Sequence, residues 1–449
     1  MDWPGDESLS GLVGRVAEQT GTLNVGLVRQ RFAASGLADV ASAVRAEMRR
    51  LLGDAQREPA PIAVGVGSRG IANLVEIVAA VLEELARAGY APFVVPAMGS
   101  HGGATPAGQL EVLESYGISE QSLGVEVRAT MDTVVIGEVD GAPVHVDRNV
   151  AETGRAFLVA RVKPHTDFSG PIESGPAKMA AIGLGKQRGA RAIHALGLSG
   201  LRDSMPMIGQ LVAARLLIGA LAIVENERDE TSSVTALGPE EIGGAGESAL
   251  LGRARASLGR LPVRDLDVLV VERIGKDISG VGMDPNVIGR FMMTGLAEPS
   301  PPLARCIVTL DLSEASHGNG VGIGLADFTS ERLARKLDLA KIYLNTMTSG
   351  WAALQRARLP MVLPTDRDAI LAAAASSGRA SHDQLRLAWI SDTIHTEVLA
   401  LSTPLLEEAR GRDDLEQLGQ PFELPFDASG QLADLEGLAD AAYGTSLAR

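Results

Sequence analysis

PIAVGVGSRGIANLVEIVAAVLEELARAGYAPFVVPAMGSHGG, residues 61–103, decides the fold class. PIAVGVG is short and apolar throughout, as a buried strand is. IANLVEIVAAVLEELARAGY carries apolar residues at helical spacing and ends in Gly89. APFVVPAMG returns as a second buried strand. A strand, a helix and a strand without polar alternation predict a mostly parallel sheet covered on both faces.

The pattern extends outward from there. TVVIGEV (133–139), AFLVARV (156–162) and GALAIVEN (219–226) read as strands, with helices expected over 187–196 and 206–217. LGRLPVRD (258–265) interrupts a helix and marks a boundary. Beyond it come LDVLVVE (266–272), RCIVTLDL (305–312), a long helix over 329–347, LPMVLPT (359–365) and a helix over 366–376. The expectation is two α/β domains, 1–260 and 261–449, with mostly parallel sheets and a ligand cleft between them. The acidic segment from Leu406 onward is weakly periodic and is expected to pack back on the first domain.

Composition narrows the function classes. A net charge of −15 excludes a general nucleic-acid binder, which needs a basic face. Cys306 is the single cysteine, so neither an intramolecular disulfide nor a cysteine metal site is available. MDWPGDESLSG has no signal-peptide pattern and no long apolar run spans a membrane, so a cytoplasmic protein is expected.

Gly65-Val66-Gly67-Ser68-Arg69-Gly70 matches the dinucleotide-binding pattern G-x-G-x-x-G. The next strand ends in Pro96-Ala97-Met98-Gly99-Ser100, without the acid that would hold a ribose hydroxyl. A nucleotide-dependent dehydrogenase is disfavoured on that ground. What survives is a strand-to-helix turn with Ser68, Arg69 and Gly70 facing an anion.

Chemistry-bearing residues gather after two further strands. His101 follows one strand, inside GSHGG (99–103). AFLVARV leads into Lys163-Pro164-His165, then Lys178 in SGPAK (174–178) and His194 on a helix. No His-x-x-x-His zinc spacing is present. Three histidines on strand ends and a facing helix, beside a lysine set among small residues, favour a site over structural histidines.

The chain resembles the nickel-pincer-nucleotide lactate racemase superfamily, enzymes that invert the α-carbon of 2-hydroxyacids. The resemblance rests on GSRGIAN (67–73), GSHGG (99–103), KPH…SGPAK…H (163–194), GKDISGVGMDPNVIGR (275–290), SHGNGVGIGLADFT (316–329) and LPMVLPTDRDAI (359–370). It implies a pyridinium-3-thioamide-5-thiocarboxylic acid mononucleotide held through Lys178, with nickel completed by His194. It implies His101 and His165 as the two catalytic bases, and Arg69 on the substrate carboxylate or the cofactor phosphate. It also implies cofactor-assembly proteins as partners, and it leaves self-association open.

The sequence departs from the lactate enzyme in places. Val66 stands where that enzyme has an Asp, and the interval from His165 to Lys178 is longer. A Tyr-Gln…Lys cluster of the second domain is replaced by Lys276, Asn286 and Arg290, which implies a substrate other than lactate. Asp284 reads equally as a hinge salt bridge. His317 and Trp351 are cleft candidates that a buried histidine and a core tryptophan would also explain. Lys163, Glu173 and Lys186 read as solvated loop charges. A non-catalytic relative that binds an organic acid or nucleotide is the remaining alternative, and it would not need two bases.

Overall fold

The computed structural model describes residues 11, 13–14, 21–33, 35–53, 59–68, 70–298 and 302–443. The chain divides into two compact units, residues 34–258 and residues 1–33 together with 259–449. The first strand, β1 (Asn24–Gln30), belongs to the second of these.

Within residues 34–258 the strands are β2 (Ala60–Val66), β3 (Tyr90–Pro96), β4 (Thr133–Val139), β5 (Ala142–Asp147), β6 (Ala156–Arg161), β7 (Leu217–Glu225) and β8 (Thr231–Leu237). One sheet has the order β3-β2-β6-β7-β8. Its first four strands are parallel and β8 returns antiparallel. TVVIGEV lies outside this sheet, paired with β5 in a hairpin of its own. Asp140 and Gly141 join the two strands with φ of 50° and 77°, the left-handed pair that tight hairpin turns require.

The helix Leu74–Arg87 buries Ile77, Val81 and Leu85 against Ile62, Val64 and Val66 of β2 and Phe157 and Val159 of β6. Its apolar residues recur at helical spacing, while those strands are apolar nearly throughout. The chain leaves β2 for β3 on one side and later adds β6 on the other. Strand order therefore reverses at β2, and the carboxyl ends of β2 and β6 flank a crevice where open α/β sheets bind ligands.

The other unit adds β9 (Asp265–Ile274), β10 (Leu303–Leu312), β11 (Phe328–Ser330), β12 (Met361–Leu363), β13 (Leu387–Ile390), β14 (Val398–Ser402) and β15 (Leu415–Glu423). Its sheet runs β12-β11-β10-β9-β13-β14-β1-β15. It is parallel from β12 to β13 and antiparallel from β13 to β15.

Three expectations are corrected here. A single cut near 260 does not describe the chain, because β1 hydrogen-bonds to β14 and β15. The last residues do not join the first domain: β15 pairs with β1, and the helix Leu435–Tyr443 adds Leu435 and Ala439 to the later unit's core. The long helix over 329–347 is two helices, Glu331–Lys336 and Leu339–Ser349. Asp338 breaks it by accepting the backbone N–H groups of Ala340 and Lys341, which starts a new helix.

Among the described residues no helix is long and apolar enough to cross a membrane.

Candidate active site at a strand-order reversal

The turn after β2 is held from two sides. Tyr116 Oη donates to the Ser68 carbonyl at 3.1 Å, and Ser68 Oγ lies 2.5 Å from His101 Nδ1. The exits of β2 and β3 are thus tied through a serine and an exposed imidazole. Arg69 lies outside the described residues. Gly70 is exposed beside it. At Gly67 a Cβ would meet Met179 Cε at 2.9 Å, so the turn lies against the residue that follows Lys178.

A buried network orients the His101 loop. Gln109 Nε2 donates to Gly99 O at 2.9 Å and to His101 O at 3.4 Å. Lys186 Nζ donates to Gln109 Oε1 at 3.1 Å and to Pro96 O at 2.5 Å, and pairs with Asp147 at 3.0 Å. Lys186 is fully buried, which corrects its reading as a solvated charge.

After β6, the backbones of Lys163 and Ser174 pair in both directions and close a loop. Glu173 is buried inside it, which corrects the second such reading. Its carboxylate accepts the N–H of His165 at 2.6 Å, the N–H of Gly170 at 2.8 Å and an Arg255 N–H at 2.5 Å. Lys163 is half-buried. The His165 ring stacks on Phe168 at 4.5 Å, and its Nδ1 accepts the Asp167 N–H at 3.0 Å. With Nδ1 as acceptor, the neutral ring carries its proton on Nε2.

Lys178 ends the short helix Pro176–Lys178 and enters a widened turn, Met179–Gly183, in which Leu184 N donates to Met179 O. Such turns concentrate at functional sites. Glu247, buried and 70 positions away in sequence, accepts the Ala177 N–H at 3.1 Å and the Gly243 N–H at 2.8 Å. Burial pushes its carboxyl up to about 7. The chain then continues into Lys186–Ala195, which carries His194. Surrounding atoms depress the His194 pKa, the Lys178 charge lowers it further, and Asp167 pulls the other way. The ring keeps an exposed face.

Asp167 holds His165 through its N–H, and the charges of Asp167 and Lys178 are felt at His194 in opposite senses.

The remaining candidates lie in the other unit. Lys276 Nζ donates to Gly280 O at 2.7 Å. Asn286 donates to Asp284, whose carboxylate also accepts the Asn286 N–H and caps the helix Pro285–Ile288. Asp284 thus serves as the cap of this helix. Arg290 Nη1 donates to Leu325 O and Asp327 Oδ2, and its Nη2 to Ala304 O and Arg305 O. That geometry makes Arg290 a clamp on strand ends, in place of the substrate contact expected of it. His317 and Trp351 are exposed, so neither is the buried residue that the alternative reading required.

Sequence reading missed Glu247, Asp147 and Gln109, whose partners are remote in the chain and leave no local signal. It also missed His395, whose Nδ1 lies 2.8 Å from Asp392 in the β13–β14 connection.

No family model and no curated protein matches this chain. Among solved structures it is similar to a protein from Thermotoga maritima, with 12% identity and a TM-score of 0.47 over 76% of this chain and 84% of that one. It is also similar to the lactate racemase apoprotein from Thermoanaerobacterium thermosaccharolyticum, with 10% identity and a TM-score of 0.47 over 82% and 94%. Likenesses this distant assign no activity.

Proposed function

We propose that the chain is a nickel-pincer-nucleotide-dependent racemase or epimerase of a 2-hydroxyacid. The observation that carries this reading is the glycine turn after β2, tied to His101 through Ser68 and lying against Met179, the neighbour of Lys178.

The donor set suits the cofactor. A metal ligand must be a neutral imidazole, and the depressed pKa of His194 keeps it so near neutrality. Among the described residues no group of three His, Cys, Asp or Glu side chains could hold a metal. A cofactor bringing its own carbon and sulfur donors asks the protein for one ligand, and His194 supplies it. Lys178 is half-buried, with an amine suited to a covalent anchor. Held by Lys178 and His194, such a group would supply hydride acceptance and return at the substrate carbon.

The protein's own residues handle protons and orientation. His101 is held at Nδ1 by Ser68 and His165 at Nδ1 by Asp167, and each imidazole is assigned to the substrate hydroxyl. A histidine titrates near working pH, so each can accept the proton from one enantiomer and give it back to the other. Arg69 is assigned to a substrate or cofactor anion.

The test is protein made together with cofactor-assembly proteins, followed by intact mass and metal analysis. A mass adduct on Lys178 with bound nickel, lost in Lys178→Ala, is the expected result. An adduct on another lysine, or nickel retained in full by His194→Ala, overturns the assignment.

A further inference from the structure

A cavity of about 790 Å³ opens where β9 and β10 begin, the amino end of those parallel strands. Five arginines line it: Arg264, Arg305, Arg379, Arg386 and Arg412. The lining carboxylates are Asp265, Asp267 and Glu408, so a positive surplus is concentrated in one cavity of a chain whose net charge is −15. Guanidinium groups repel one another when brought together, and an acidic surface has no reason of its own to collect them.

Three of the five are held in place by carboxylates. Asp267, almost fully buried, takes Arg379 Nε at 2.7 Å and Nη2 at 3.1 Å. Glu408 grips both terminal nitrogens of Arg386. Asp414 takes Arg412 Nε at 3.0 Å and Nη2 at 2.6 Å. These forks fix the cationic wall and use up much of its own donor capacity.

The other two arginines are differently placed. Arg264 makes no side-chain hydrogen bond or ion pair among the described residues. Arg305 reaches Asp267 only at 3.6 Å and Ser377 O at 3.3 Å, and its side chain is 63% exposed. They enter from adjacent strand starts, β9 and β10, whose register pairs Asp265 with Leu303. Two loosely engaged guanidinium groups at the amino ends of two central strands, backed by three fixed ones, match the geometry that recognises multivalent oxyanions. The volume suits a small molecule.

We propose that this cavity binds a small anion carrying two or more negative charges, an organic diphosphate or a polycarboxylate, at a site separate from the candidate active site. Lys178, His101, His165 and His194 lie in residues 34–258, whereas every residue of this cavity lies in the other unit. Arg264 and Arg305, the two without a carboxylate fork, determine the affinity.

Isothermal titration of the full chain with inorganic pyrophosphate, and separately with citrate, tests this. Saturable binding of either probe, weakened at least tenfold in both Arg264→Ala and Arg305→Ala, is the expected result. The tighter probe then tells phosphate from carboxylate chemistry. Both replaced side chains lie on the surface, and unchanged circular dichroism and melting temperature without probe show that the variants fold. Arg264→Lys should recover only part of the affinity, since an ammonium lacks the fork. No binding of either probe at millimolar concentration overturns the proposal. So does binding that neither alanine variant changes, because the probe then sits elsewhere.

Discussion

Lys186 Nζ sits 3.0 Å from Asp147 Oδ2, and neither side chain is exposed to solvent. Burial lowers the lysine pKa and raises that of the aspartate, while each partner's charge opposes the shift. Removing one partner leaves the other charge buried alone. Lys186→Met should therefore destabilise the protein by about 3–5 kcal/mol. The double variant Lys186→Met/Asp147→Asn should recover part of that loss. Urea unfolding of the single and double variants measures it, and equal stability of the two would remove the ion pair from the account.

How legible this was differs by element. The β2-helix-β3 unit could be read because its strands are apolar throughout and its helix has a clear period. β1, β5, β8, β11, β13, β14 and β15 escaped. β13 is only four residues long, and β15 shows most of one side to solvent. His101, His165, Lys178 and His194 stand out locally as reactive types among small residues. Glu247 and Asp147 act on partners far along the chain, and no window of sequence contains both ends of such a contact.

Glu173 should prove to be the fastener of the His165 loop. It accepts two backbone N–H groups and Arg255 in a buried setting. Glu173→Ala strands those donors, at a cost of about 1–3 kcal/mol for each one left unsatisfied. Hydrogen exchange at the amides of His165 and Gly170 should accelerate at least about tenfold, by the usual relation of free energy to equilibrium. Unchanged protection at both amides would refute the role.

Glu272 gives a pH prediction with a definite sign. Burial pushes its carboxyl up to about 8, while it accepts Trp389 Nε1 at 2.7 Å and Leu435 N at 2.8 Å. The folded state therefore holds this proton after the unfolded chain has released it. Its contribution to stability is fully present below the unfolded value of 4.5 and is lost as pH rises through about 8. The slope is at most about 1.4 kcal/mol per pH unit. Glu272→Gln keeps an acceptor and removes the ionisation, so its stability should fall less between pH 5 and 9. Denaturation followed by tryptophan fluorescence at several pH values checks this, and parallel pH profiles for the two proteins would contradict it.

The two histidines make the sharpest prediction for the proposed racemase. His101 and His165 approach from the ends of different strands, and the reading assigns each to the hydroxyl of one enantiomer. The equilibrium constant between enantiomers is unity, so replacing either base must slow net interconversion equally in both directions at equilibrium. Asymmetry can appear only in the first half-reaction, when one pure enantiomer is oxidised once to the bound 2-keto acid. Loss of a positioned base costs about 10²–10⁴ in rate. His101→Ala should suppress that single turnover for one enantiomer, and His165→Ala for the other. Rapid-quench measurement of keto acid from each enantiomer, in cofactor-loaded protein, separates the two. If both variants impair the same enantiomer and spare the other, the histidines serve one face of the carbon, and inversion by two opposed bases is ruled out.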